Sequence, residues 1–125
     1  MKISILLPLK ENFSPEYPGA VSIFINDTLN YSKFKTSTTV FGSTEFKKKF
    51  NHNYINLKTK NFLFQSQNKK YVQEFEKYEK INISDIIEIH NRPNYVNYIK
   101  NLNNKTKLIL YFHNDPLTMN GSKFV

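Results

Sequence analysis

Short apolar runs alternate along the chain with longer stretches whose apolar residues recur every few positions. Lys2–Leu7 is a compact apolar run stopped by Pro8, the pattern of a buried strand. Lys10–Gly19 is polar, contains Pro15 and Pro18, and reads as a loop. Over Ala20–Phe34 the apolar residues Val21, Phe24, Ile25, Leu29 and Tyr31 share one helical face. Thr39–Phe41, before Gly42, predicts a second strand. Thr44–Phe50 predicts a short helix with a lysine-rich solvent face, and the alternating Asn53–Leu57 a third, edge strand. Positions 58–68 fit neither period. Asn68–Lys80 has a helical apolar face of Tyr71, Val72, Phe75 and Tyr78. Asp85–His90 is a fourth strand, ended by Asn91-Arg92-Pro93. Asn94–Leu102 predicts a short helix on Tyr95, Ile99 and Leu102, and Lys107–Phe112 a last strand, ended by His113-Asn114-Asp115-Pro116.

Strands alternating with helices predict an α/β fold, a Rossmann-like doubly wound parallel sheet of about five strands. The expected strand order is 3-2-1-4-5. A doubly wound domain covers its last strand with a further helix, and Leu117–Val125 has room only for the start of one. The sheet is therefore expected to be incomplete at the C-terminus and the chain to be the front part of a longer protein. Uncovered apolar surface and an open strand edge would then favour self-association, most simply as a two-fold homodimer.

Composition narrows the function classes. The 125 residues make one domain, and there is no Cys, hence no disulfide, thiolate metal site or Cys nucleophile. No apolar run approaches the roughly 20 residues of a membrane span. The apolar stretch before Pro8 is too short for a signal-peptide core, which leaves the cytoplasm as the default location. Lys and Arg number 18 against 10 Asp and Glu, a net charge of +8. Lys, Asn and Ile are abundant and Ala and Arg scarce, as A/T-rich codons dictate, so base composition explains much of that charge. The forks and basic stripe of a specific nucleic-acid binder are missing, because Arg92 is the one arginine. The remaining basic charge would suit phosphate-bearing substrates and peripheral contact with an anionic inner-membrane surface.

In an open parallel sheet, ligands bind beyond the carboxyl ends of the strands. The loop from Pro8 to Gly19, the segment His90–Pro93 and the segment His113–Pro116 leave strands at that rim. Gly19 precedes a helix whose amino end would favour an anion, or serves only a turn. There is neither GxGxxG nor GxxxxGK[ST], so the nicotinamide fingerprint and the P-loop are absent. His113 is the catalytic candidate, a group that would hydrogen-bond or polarise a substrate hydroxyl; a strand-end cap is the alternative. Glu88 lies in an apolar strand on the face of His90, to brace His90 or Arg92 or to pair with a lysine. Arg92 would clamp a carboxylate or phosphate, or anchor its loop by an internal ion pair. Asp115, beside Asn114, would hold a substrate hydroxyl or cap the next segment of chain. His52 lies in a polar loop and is not a candidate. No third ligand completes a metal site around His113 and Asp115.

Three segments, Pro18–Thr28, Ile86–Pro93 and Leu108–Pro116, resemble the N-terminal domain of bacterial GT-B glycosyltransferases, most closely glycosyltransferase family 4, whose members build lipopolysaccharide and other surface glycans. The resemblance runs along nearly the whole chain. It implies the Rossmann-like, acceptor-side half of a two-domain enzyme. A sugar nucleotide would serve as donor, gripped mainly by the other half, and a glycan or lipid-linked molecule as acceptor. It implies no cofactor, no required metal and usually retention of anomeric configuration. By position, Gly19 matches the glycine loop that approaches the donor phosphates. His113 matches the histidine facing the transferred sugar. His90, Asn91 and Arg92 match the loop lining the cleft. The family often carries two adjacent glycines where this chain has Pro18-Gly19-Ala20. Such a half should not transfer sugar alone, because the cleft needs both domains. Two other readings are a stand-alone flavodoxin-like module for a nucleotide or phosphorylated ligand and a small basic nucleic-acid-binding protein.

Overall fold

The computed structural model describes residues 1–59, 66–99 and 103–115. Its strands are β1 (Ile3–Leu6), β2 (Thr38–Gly42), β3 (Tyr54–Asn56), β4 (Ile86–His90) and β5 (Lys107–Tyr111). They form one sheet of order β3-β2-β1-β4-β5, every neighbouring pair parallel. This is the expected Rossmann-like α/β arrangement.

The helices divide between the faces. On one, α1 (Ala20–Asn30) buries Val21, Ile25 and Leu29 against Ile3, Ile5, Leu7 and Val40. On the other, α2 (Gln67–Ile81) and α3 (Tyr95–Tyr98) bury Tyr71, Val72, Phe75 and Tyr95 against Leu6, Phe41, Ile87 and Ile89. Side chains alternate along a strand, so neighbouring residues of β1 and β4 feed opposite cores. α1 does not reach across β5, whose Lys107, Ile109 and Tyr111 are exposed on that side.

Local chemistry sets the element ends. Ser66 caps α2 by accepting the Lys69 N–H. α1 stops at Asn30, short of the expected Phe34. Tyr31, counted in the apolar face, is 92 % exposed, so no burial extends the helix through it. The helix expected over Thr44–Phe50 is instead an irregular loop. A helix that short barely nucleates, and tertiary partners win. The Thr44 N–H donates to Asn56 Oδ1 (2.8 Å), and Phe50 packs edge-on against Phe13 at 5.1 Å. The helix expected over Asn94–Leu102 is a single turn in which Ile99 is already extended. Residues 100–102 lie outside the described residues, as do 60–65 and most of the final segment, 116–125.

One polar cluster is sealed between β1 and α2. The Glu79 carboxylate accepts the Ser4 hydroxyl (2.7 Å), the Ser84 hydroxyl (2.7 Å) and the Ser84 N–H (3.0 Å). Ser4, Ser84 and Glu79 are all buried. Hydrogen bonds to a buried charge satisfy donors that water cannot reach. The Ser4 and Ser84 hydroxyls also lie 2.6 Å apart, so Glu79→Ala leaves them able to pair with each other but orphans the Ser84 N–H and one hydroxyl hydrogen. It should destabilise the domain by about 2–4 kcal/mol, read as a lowered denaturation midpoint with an unchanged slope.

Candidate functional site

The carboxyl ends of β1, β4 and β5 lie at one rim of the parallel sheet, and contacts from elsewhere in the chain hold the residues that leave each strand. The loop after β1 is anchored by burial of Phe13, which stacks on Tyr54 at 5.5 Å, and by the Lys10 N–H on Ser43 Oγ. It then delivers Gly19 to the start of α1.

Gly19 has φ −75°, open to any residue, so glycine is not needed there for conformation. A side chain there would displace only the end of a flexible neighbour. The Glu11 carboxyl fills the place where a Cβ on Gly19 would sit. Burial pushes the Glu11 carboxyl above its usual range. The Ser22 hydroxyl, the Arg92 charge and the Val21 N–H oppose that rise without cancelling it. The helix start expected to receive an external anion therefore holds the chain's own acidic group. Sequence reasoning missed Glu11, because nothing in a lone loop carboxylate shows that the chain folds back over Gly19.

After β4, Asn91 adopts a left-handed conformation (φ 56°), which asparagine tolerates better than most residues. This aims its amide at β5. Asn91 Oδ1 accepts the His113 N–H (2.8 Å), and its own N–H donates to the Tyr111 carbonyl (2.8 Å). One residue thus locks the ends of β4 and β5 together. The Arg92 guanidinium donates to the Asn91 carbonyl at 2.7 Å. Its charge also bears on Glu11 and on the Tyr95 hydroxyl. The loop is thus anchored by a hydrogen bond to backbone rather than by the expected ion pair.

The two histidines at these strand ends meet. His90 Nδ1 lies 2.9 Å from His113 Nε2, and His90 Nε2 lies 3.3 Å from Glu88 Oε2. Of the partners expected for Glu88, the structure selects His90. His90 is buried at 1 % exposure, and His113 is half-buried. Tyr111 stacks on His90 (4.9 Å, 12°), while Phe24 of α1 meets His113 edge-on at 4.9 Å. Phe24 and Tyr111 read as core aromatics in the sequence; here they wall the imidazole pair. Burial, and then the neighbouring His90, lower the His113 pKa. Below the pair, a cavity of about 220 Å³ opens between α1 and the sheet, lined among others by Glu88, His90, Thr28 and Tyr111.

Asn114 and Asp115 are exposed just beyond His113 on the same strand exit. His52 stands apart, ahead of β3 at the opposite end of the sheet, with Nε2 on Asn26 Oδ1 at 3.0 Å. Among the described residues no group of three or more acidic or histidine side chains could hold a metal ion. No helix among them is long and apolar enough to cross a membrane.

Compared with known proteins, the chain matches no family model, no curated protein and no solved structure. The rim offers a half-buried carboxyl at a helix start, a guanidinium near it, and an imidazole pair opening outward.

The raised Glu11 pKa has a stability consequence. A carboxyl whose folded pKa lies above its unfolded value contributes most below the unfolded pKa, about 4.3. That contribution is lost as pH rises through the folded value. Glu11→Gln removes the ionisation. Relative to wild type, the variant's melting temperature should therefore climb between about pH 4 and pH 7, in thermal unfolding scans across that range. A difference independent of pH would contradict the assignment.

Proposed function

We propose that this domain is the acceptor-side half of a glycosyltransferase that transfers a sugar from a sugar nucleotide to a surface-glycan or lipid-linked acceptor. The observation that carries the reading is the convergence of His90 and His113 at the carboxyl rim of the sheet, 2.9 Å apart and beside the start of α1. That rim is where open α/β sheets take ligands. Its groups suit a polyhydroxyl ligand better than a bare anion. A half-buried imidazole, the Asn114 amide and the Asp115 carboxylate exchange hydrogen bonds with hydroxyls. The one strong anion position, at the start of α1, already holds Glu11. In this reading His113 contacts the sugar. Asn91 and Arg92 hold the loop that lines the cleft, and the donor's nucleotide is bound mainly by a second domain. A donor phosphate could share the start of α1 only after the Glu11 carboxyl moves aside.

A stand-alone module for a nucleotide or phosphorylated ligand is the competing reading. It is favoured by the Gly19 helix start and the nearby Arg92, and weakened by Glu11 between them.

Titration of the nitrogen-15-labelled chain with oligosaccharides, with nucleoside diphosphate sugars and with free nucleotide separates the two. The glycosyltransferase reading predicts that saccharide shifts the amides of Asn91, Asn114 and Asp115. His113→Ala should weaken that response about ten-fold or more, the scale of one lost hydrogen bond to a buried polar partner. It also predicts that the chain alone transfers no sugar. Saturable binding of free nucleotide with no saccharide response would overturn it in favour of the binding module.

A further inference from the structure

We propose that Glu88, His90 and His113 form a one-proton relay, in which His113 Nδ1 is the group that meets a ligand and the buried His90 stores the charge. Only the identity of the ligand, a sugar hydroxyl, rests on the glycosyltransferase reading.

The assignment comes from donor and acceptor counting. An ionised carboxylate only accepts, so the 3.3 Å contact with Glu88 places a hydrogen on His90 Nε2. A neutral His90 then carries a lone pair on Nδ1. The 2.9 Å bond between the rings must accordingly be donated by His113 Nε2. A neutral His113 is left with its lone pair on Nδ1, which makes no hydrogen bond to the protein among the described residues. The backbone reinforces this arrangement, because Asn91 fixes His113 through its N–H.

The chain can take up one proton without rearranging. As its oxygen bonds to an electrophilic carbon, a ligand hydroxyl gives its proton to His113 Nδ1: the O–H bond breaks, N–H forms, and the oxygen keeps the O–H electron pair as it makes the new O–C bond. The Nε2 hydrogen of His113 crosses the ring-to-ring bond to His90 Nδ1. His90 becomes an imidazolium beside the Glu88 carboxylate, and His113 is neutral again, now as its other tautomer. Return of the proton reverses each bond change. A second proton would set two N–H groups against each other across the 2.9 Å contact, so the pair holds one.

The surroundings favour charge on His90 over His113. β4 supplies the Glu88 carboxylate, and β5 supplies the stacked Tyr111 ring, whose π face attracts a cation. α1 contributes the uncharged Phe24 and Thr28. The Arg92 guanidinium is turned to the Asn91 carbonyl and toward Glu11. Asp115 lies two residues beyond His113 on the exposed segment. The lowered His113 pKa agrees with the charge residing elsewhere. Glu88 and His90 are thus positioning residues, and His113 is the group open to ligand. Glu88 and His90 also line the cavity beneath, so the relay joins that cavity to the rim.

The test is nitrogen-15 NMR of the histidine-labelled chain between about pH 5 and pH 8, where histidine ordinarily titrates. At the basic end His113 should show an imine-type Nδ1 and a protonated Nε2. On acidification the pair should take up one proton, with His90 acquiring the imidazolium signature while His113 switches tautomer. Glu88→Gln retains an acceptor for His90 Nε2 but removes the charge. It should keep the neutral tautomers and weaken proton uptake about ten-fold or more. A His113 protonated on Nδ1 in the neutral pair, two independent protons, or unchanged uptake in Glu88→Gln would each overturn the relay. The tautomers of the unliganded wild type need neither a variant nor a saccharide. A failed sugar titration with the expected tautomers would therefore count against the glycosyltransferase reading alone.

Discussion

β1 pairs with β2 along one edge and β4 along the other, and all of its residues are buried. No backbone group of β1 can be left to water, so each must find its partner in a parallel ladder. Parallel pairing in turn forces every connection to cross a face of the sheet. That lays α1 over one face and α2 and α3 over the other. It also sends every strand's carboxyl end to the same rim. Without the burial of β1, neither the layering nor the rim would form.

The rim is built of loops that are held rather than free. Phe13 pins the first loop, and Asn91 ties the exits of β4 and β5. Such anchoring costs conformational entropy and leaves polar groups in fixed relation, which recognition of a ligand requires. Two acidic groups divide the electrostatic work. Glu11 occupies a helix start next to Arg92, and Glu88 faces a histidine. Each carboxyl lies beside the group whose charge or hydrogen it can use.

Much of the fold was legible in the sequence. The apolar runs at Ile3–Leu7, 86–89 and 107–112 mark strands directly, because a short run of apolar residues bounded by turn residues suits a strand laid in a sheet. The histidines at the ends of the last two strands were legible as rim residues for the same reason. The stretch Thr44–Phe50 was not. Its helical spacing is real, but Thr44 and Phe50 are claimed by Asn56 and Phe13, partners remote in sequence. Tyr31 misled in the opposite sense, since an aromatic at helical spacing need not be buried.

The sequence by itself determined the layered α/β plan, the rim at which His90, Arg92 and His113 gather, and the absence of thiol chemistry. Periodicity and composition record these, because they depend on which residues can face water. Only the tertiary structure decided that His90 touches His113, that Glu88 bonds to His90, and that Glu11 takes the place beside Gly19. Those contacts depend on register between strands and on a loop folding back over a helix start. Register differs by whole residues for small changes in packing, and a one-residue shift turns a side chain to the other face. No local pattern in the chain encodes it.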